Sequence, residues 1–253
     1  MIRRNILLRL IYFFSIKFNN FYNNFSYNFY HNGEFKLAKK IKPFKIKVVF
    51  DVGCNNGHWS DMFSKANLLP VIYAFDINKE CIKYLRDKFK LIKFFNLGLS
   101  NMNSVKSFNF YSKTSSLNSA FNFHNLNSCK RKIKVIRGDD FCIKNKIDKI
   151  DFLKIDVEGM EHLVLEGFKK KLAGNKIKMI QFEYGYTNSI SKFLMYDFFI
   201  FFKKYNYLLG RITNLGVDFI DNFDFKYNNF NSGPNFLAIH KKEKEIIKIL
   251  KKF

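Results

Sequence analysis

The chain's 253 residues and 30.2 kDa can bury one sizeable core, and 47% hydrophobic residues exclude a disordered polymer. Lys and Arg number 44 against 21 Asp and Glu, a formal net charge of +23 that ordinarily points to nucleic acid or an anionic membrane. The lysines are spread through nearly every segment, however. They share AT-rich codons with the abundant Asn, Phe, Ile and Tyr, so codon bias takes the larger share of that charge.

Read from the N-terminus, Met1 to Ile16 imitates a signal peptide, with basic residues followed by apolar ones. Arg9 interrupts the run, Lys17 ends it, no small-residue cleavage site follows, and the apolar stretch is too short to span a bilayer. A basic amphipathic helix fits better. Packing on the body is expected ahead of peripheral contact with an anionic membrane, which stays open. Asn19 to Asn32 reads as a connector whose aromatics pack on the body. Residues 1–44 are thus expected to form a helical extension, residues 45–243 one domain, and residues 244–253 a basic tail.

Regular patterning begins after Lys45. Val48 to Asp51 is a buried first strand, and a helix follows from His58 through Asn67, with Trp59, Met62 and Phe63 at helical spacing. Val71 to Phe75 is a second strand ending in Asp76, Lys79 to Phe89 a helix, and Leu91 to Phe95 a third strand ending at Asn96. Ser104 to Arg137 breaks the rhythm. A period-two segment, a polar Ser/Asn-rich loop and a strand over Lys132 to Ile136 predict a strand pair and a mobile loop beside the ligand edge. The alternation resumes with a strand from Ile150 to Asp156, a helix from Met160 to Lys171, a strand from Ile177 to Phe182 ending in Glu183, and a helix from Ser189 to Tyr205. Short strands follow at Tyr207 to Gly210 and Asn235 to His240, the second placed as an antiparallel partner that closes the sheet. Repeated βα units of this kind dictate an α/β fold with a doubly wound, mostly parallel sheet.

The chemistry gathers at the strand ends. Val48-Val49-Phe50-Asp51-Val52-Gly53-Cys54-Asn55-Asn56-Gly57 delivers a buried strand to a turn on two glycines, where the backbone can approach a nucleotide-like ligand. A dinucleotide fingerprint needs GxGxxG, and Asn55 stands at the second glycine, which disfavours a nicotinamide oxidoreductase. Asp51, Asp76, Asn96 and Asp156 should converge on one crevice at the carboxyl edge. Asp76, roughly twenty-five residues after Asp51, lies where such folds hold a ribose; the alternative for it is a helix N-cap. Cys54, Cys81, Cys129 and Cys142 form no CxxC pair and no metal-like spacing with the histidines, so they read as reduced thiols in a cytosolic protein with no metal site.

Asp51-Val52-Gly53-Cys54-Asn55-Asn56-Gly57, Phe75-Asp76, Asn96-Leu97-Gly98-Leu99-Ser100, Leu153-Lys154-Ile155-Asp156-Val157-Glu158-Gly159-Met160-Glu161 and Gln181-Phe182-Glu183 resemble, in order and spacing, the FkbM-type S-adenosylmethionine-dependent methyltransferases. The resemblance runs from Lys47 to His240, and its most specific part is the segment from Lys154 to Glu161. It departs from the family at Cys54, where alanine is common, and at Asp76, where glutamate usually precedes proline.

The resemblance implies a Rossmann-like class I methyltransferase fold with an antiparallel C-terminal strand, and S-adenosyl-L-methionine as cofactor. It also implies roles. Gly53, Asn55 and Gly57 would shape the loop around the methionine part of the cofactor, with Asp51 beneath it receiving hydrogen bonds from the amino group directly or through water, and Asp76 would hold the ribose. Asn96 and Leu97 would flank the adenine. Asp156 is the first choice for the base that takes the acceptor's proton and Glu158 the second, while Glu183 either lines the acceptor pocket or pairs with a lysine. Glu158 and Glu161 have an alternative as acids opening a helix, and Trp59 is expected in the core. His58 and His162 are not favoured for proton transfer.

The acceptor expected from this resemblance is a hydroxyl, foremost on a sugar of a surface glycan or its lipid-linked precursor, with another small hydroxylated molecule as the variant. An RNA or DNA methyltransferase would explain the charge. Base amino-group methylation, however, usually needs Asn or Asp before Pro-Pro-aromatic, and Asp156-Val157-Glu158-Gly159 stands there instead. A non-catalytic membrane-surface protein is the third alternative. The expected location is the cytoplasm, peripheral to the inner face of the membrane if the N-terminal helix binds it. The sequence gives no oligomeric state.

Overall fold

A computed structural model of the chain describes residues 5–111, 118–119, 127–230 and 233–251. Most of the Ser/Asn-rich loop expected to be mobile therefore lies outside the described residues, as do the first four residues and the last two. The strands are β1 (Val48–Val52), β2 (Val71–Asp76), β3 (Ile92–Asn96), β4 (Gly98–Ser100), β5 (Ser104–Phe110), β6 (Cys129–Arg137), β7 (Ile150–Ile155), β8 (Ile177–Glu183), β9 (Tyr207–Thr213), β10 (Gly216–Phe219) and β11 (Asn235–His240). The helices are α1 (Ile6–Tyr22), α2 (Glu34–Lys40), α3 (His58–Ala66), α4 (Lys79–Lys88), α5 (Gly138–Lys144), α6 (Glu161–Gly167), α7 (Lys169–Ala173), α8 (Thr187–Ser191), α9 (Met195–Lys204) and α10 (Lys244–Leu250).

Eight strands form one sheet in the order β10-β9-β11-β8-β7-β1-β2-β3, parallel from β8 to β3. Strand order reverses between β1 and β7, the switch point where open α/β sheets bind ligands. Central strands must be apolar on both faces, and β7 is buried along its whole length. Phe50 and Leu153 pack into one layer with Phe141 of α5, Leu165 of α6 and Phe198 of α9. Val49 and Phe152 pack into the other with Trp59 and Phe63 of α3, Leu85 of α4 and Ile246 of α10. A smaller sheet, β4-β6-β5, holds the expected strand pair.

Several local expectations change. The helix expected over Met160 to Lys171 is two, α6 and α7, separated at Phe168, and that over Ser189 to Tyr205 is α8 and α9, with Lys192 between them in the left-handed region at φ +57°. Strand β11 is antiparallel as expected, but it is inserted between β8 and β9 instead of lying at the edge. Hairpin strand β10, short strand β4 and helix α5 carry too little periodicity to be seen in the sequence.

The two ends of the chain depart furthest. Helix α2 belongs to the core, burying Leu37 and Ala38 alongside Ile246 and Leu250 of α10, so neither the later part of the extension nor the basic tail stands apart. Helix α1 does the reverse of what was expected: it buries no residue. Both layers over the sheet are already filled by other helices, and the connector ties down only the chain after α1: Phe29 packs on the core and the Asn24 amide donates to the Asn32 carbonyl at 2.8 Å.

Candidate active site

At the carboxyl edge of the parallel strands lies a cleft of about 420 Å³. One wall is the loop after β1. Gly53 adopts φ +85°, and a Cβ there would sit 1.7 Å from the carbonyl oxygen of Asp156, so no side chain fits between this loop and the end of β7. The Gly53 and Cys54 N–H groups donate to the Phe75 carbonyl, which pins the loop to β2 as well. Asn55 takes φ +42°, a conformation that asparagine tolerates better than most side chains. Its N–H donates to one oxygen of Asp76 at 2.8 Å, and the Asn78 N–H donates to the other at 2.8 Å. Each oxygen keeps a lone pair for a further donor, such as a ribose hydroxyl. Burial raises the Asp76 pKa, and these two N–H bonds limit the rise. Asp76 is not the helix cap; Asn78 caps α4. Ile77, Leu97, Leu99 and Phe108 give this side apolar surface suited to a flat ring.

The opposite wall is acidic. Asp156, Glu158 and Glu183 line it, with Tyr27 and Tyr186 at the mouth. Glu183 is hydrogen-bonded to Asp156; burial, then Asp156 and Glu158, raise its pKa well above the usual carboxylate range. Glu158 sits at φ +54°, a strained backbone for a long side chain, and its pKa is pushed up to about 8 by burial, then by Asp156 and Glu161. The Glu161 carboxylate, at the start of α6, accepts the Val157 N–H at 3.0 Å and the Gly159 N–H at 3.2 Å and so shapes the turn that presents Glu158. Burial raises Glu161 to about 7 against those bonds. From the inserted segment, Ser119 donates to the Glu158 carbonyl at 3.1 Å, which places that insertion beside the ligand edge.

The sequence matches the methyltransferase FkbM domain over residues 51–209, more than half of the chain. The chain belongs to the FkbM methyltransferase family. It is an S-adenosylmethionine-dependent methyltransferase with the class I arrangement of a mostly parallel sheet and an antiparallel C-terminal strand. No curated protein sequence matches it. Solved structures with a distant likeness include precorrin-6y C5,15-methyltransferase from Geobacter metallireducens GS-15, at 12% identity over 81% of this chain and 85% of that one, TM-score 0.40. An rRNA methylase from Streptococcus thermophilus is 10% identical over 82% and 93%, TM-score 0.41. TrmK from M. capricolum, solved with S-adenosylhomocysteine, is 16% identical over 81% and 64%, TM-score 0.39.

The cleft of this FkbM methyltransferase fits its cofactor in size and in chemistry: a carboxylate with lone pairs open to a diol, an apolar flank and carboxylates able to face a sulfonium cation. Of the residues expected at the site, Gly53, Asn55, Asp76, Leu97, Asp156, Glu158 and Glu183 line the cleft, and Asp51, Gly57 and Asn96 do not. Asp51 is fully buried beneath the loop, with one oxygen taken by the Ser60 hydroxyl at 2.6 Å and the other 3.4 Å from the Lys154 ammonium. Gly57 starts α3, and a Cβ there would press on Leu85 at 3.0 Å. The exposed Asn96 side chain donates to the Asp76 carbonyl at 3.1 Å, tying strand ends together. Trp59 is core, stacked on Phe63. His58 is exposed, and His162 stacks on Phe193 with its pKa lowered by burial.

Sequence reasoning gave no role to Lys154, Glu34 or Tyr27. Lys154 bridges Asp51 and Asp156, at 3.4 and 3.1 Å; burial opposes its charge, but Asp156, Asp51 and Glu34 more than offset it and its pKa is raised. A lysine inside the apolar run of β7 was the available signal, because a buried charge requires partners. Buried Glu34 receives the Trp59 indole N–H at 2.9 Å and amide N–H bonds from Asn32, Gln181 and Asn235. Tyr27 lies outside the family match and carries no motif.

Proposed function

We propose that this enzyme is an O-methyltransferase acting on a hydroxyl of a sugar, in a surface glycan or its precursor, in the cytoplasm. The observation that carries the reading is the acceptor wall, where carboxyl groups and two tyrosines border one opening. Carboxyl groups bond sugar hydroxyls and aromatic rings cover sugar faces.

Gly53, Asn55, Asp76 and Leu97 would hold S-adenosylmethionine, with Asp51 and Lys154 supporting the loop from below. When bound, the cofactor supplies an electrophilic methyl group on a sulfonium. The chain's own part is to orient the acceptor oxygen and remove its proton. Glu158 is assigned that proton. Its pKa, pushed up to about 8, suits it to take a proton, whereas Asp156, first choice on sequence, already accepts from Lys154 and is bonded to Glu183. A bound cation beside these groups favours their ionised forms. Asp156 then serves as the anchor held by Lys154, and Glu183 as its hydrogen-bond partner beside the acceptor.

The test offers purified enzyme and labelled methyl donor a panel of glycans, nucleotide sugars, lipid-linked sugars and RNA. Label in a sugar methyl ether supports the reading; transfer to RNA, or to no sugar, overturns it.

A further inference from the structure

We propose that α1 is an amphipathic anchor that lies on an anionic lipid bilayer beside the mouth of the cleft. The helix is locally complete: Asn5 caps it, its side chain accepting the Leu7 N–H at 2.9 Å. At 3.6 residues per turn, Leu7, Leu10, Phe14, Phe18 and Phe21 fall on one face, and Arg9, Asn19 and Asn20 on the other, together with Tyr12 and Ile16. Every member of the apolar face is exposed, Phe14 by 65% and Phe21 by 85%. An apolar stripe of this size left in water marks an interaction surface.

Charge selects the occupant. The first fifty residues carry ten Lys or Arg and a single acid, Glu34, which is buried among hydrogen-bond donors and offers nothing to a partner. A second copy would bring identical positive charge against itself, whereas anionic headgroups neutralise it. Lys17, at the margin of the apolar face, can reach headgroups while its stem stays in the apolar layer. The helix lies on the bilayer and does not cross it: no described helix is long and apolar enough to span, and 17 residues extend only about 25 Å against a hydrocarbon core of about 30 Å.

The anchor is tied to the active site. Past Tyr22, where α1 ends, the Asn24 amide donates to the carbonyls of Asn32 and, at 3.4 Å, Ile212, and three residues later Tyr27 lines the cleft. A bilayer holding α1 therefore lies next to the acceptor opening. The docking itself stands on α1; that an acceptor carried on a lipid is met there rests on the sugar reading above.

Co-sedimentation of the full chain with vesicles tests this. Wild-type protein is expected to sediment with mixed phosphatidylglycerol and phosphatidylcholine and far less with phosphatidylcholine alone, and to be released by salt. Changing Leu10→Glu and Phe14→Glu together should cut partitioning by about tenfold or more, and Arg9→Glu with Lys17→Glu should remove the preference for phosphatidylglycerol. Since α1 buries nothing, both variants should keep wild-type affinity for S-adenosylmethionine in calorimetry. Unchanged partitioning of the apolar variant, or no sedimentation of wild type, overturns the anchor. So does a wild-type dimer in ultracentrifugation that the apolar variant splits, since a second copy would then cover α1. Vesicle binding by a chain that transfers no methyl to sugar would defeat the acceptor reading and leave the anchor standing.

Discussion

On the side of the cleft proposed for the methyl donor, two backbone N–H groups hold one carboxylate, Asp76. On the side proposed for the acceptor, Glu158, Glu161 and Glu183 lie near Asp156, which Lys154 holds, and burial and their mutual charge raise the proton affinity of the three glutamates. The first side is fixed by chain geometry, with one titratable group, Asp76, in it. The second is set by charge, holds a strained residue, and should respond to every proton gained or lost.

The strongest way to break this contrast is Gly53→Val. Its Cβ has no room against Asp156, so the loop must move, and we expect donor binding to vanish in calorimetry with a stability loss of about 3 kcal/mol or more. Retained affinity would mean that the tight loop is dispensable.

Glu158→Gln should leave donor affinity within a few fold and lower kcat by about 10²–10⁴-fold. In wild type, kcat/KM should rise with pH through about 8 as Glu158 loses its proton, and the variant should lack that rise. The stability effect has the opposite sense. A carboxyl whose pKa rises from 4.5 to about 8 on folding costs nothing below pH 4.5 and progressively more up to pH 8. Thermal unfolding should therefore find the variant more stable than wild type at pH 8, by on the order of a few kcal/mol, with the gap closing toward pH 4. A variant with wild-type kcat would return the base to Asp156.

Lys154→Met tests whether the two sides share a support. It leaves Asp51 buried with only Ser60, and we expect a loss of about 3–5 kcal/mol by denaturant unfolding. Asp76→Ala should weaken donor binding by roughly ten- to a hundredfold, the cost of about 1–3 kcal/mol for a lost carboxylate partner. Asn55→Gly is the mildest change, under about 1 kcal/mol in stability, because glycine enters the same left-handed conformation.

The contrast also explains what the sequence could reveal. Gly53, Asn55 and Asp76 were legible because a tight turn at a strand end restricts which residues can stand there, and the restriction shows in local spacing. The strands β1, β2, β7 and β8 were legible for a similar reason, as apolar runs ending in acids. The raised proton affinities of Glu158 and Glu183 were not, since they arise only when the ends of β7 and β8 meet in space. Asp51 looked like a ligand by position, yet burial turned it into a partner for Lys154. Helix α1 was recognised as amphipathic, but no local pattern says that both layers of the sheet are already occupied.

Buried Glu34 carries a practical consequence. Residues 51–209 define the family, but this carboxylate comes from before that span, and one of its donors, Asn235, from after it. A shortened protein starting at the first strand would strand the Trp59 indole without an acceptor, leave the Gln181 amide only Asn235, and strip α2 from the core. The span that matches the family is thus smaller than the unit that folds, and trimming to the former should yield aggregation in place of a minimal enzyme.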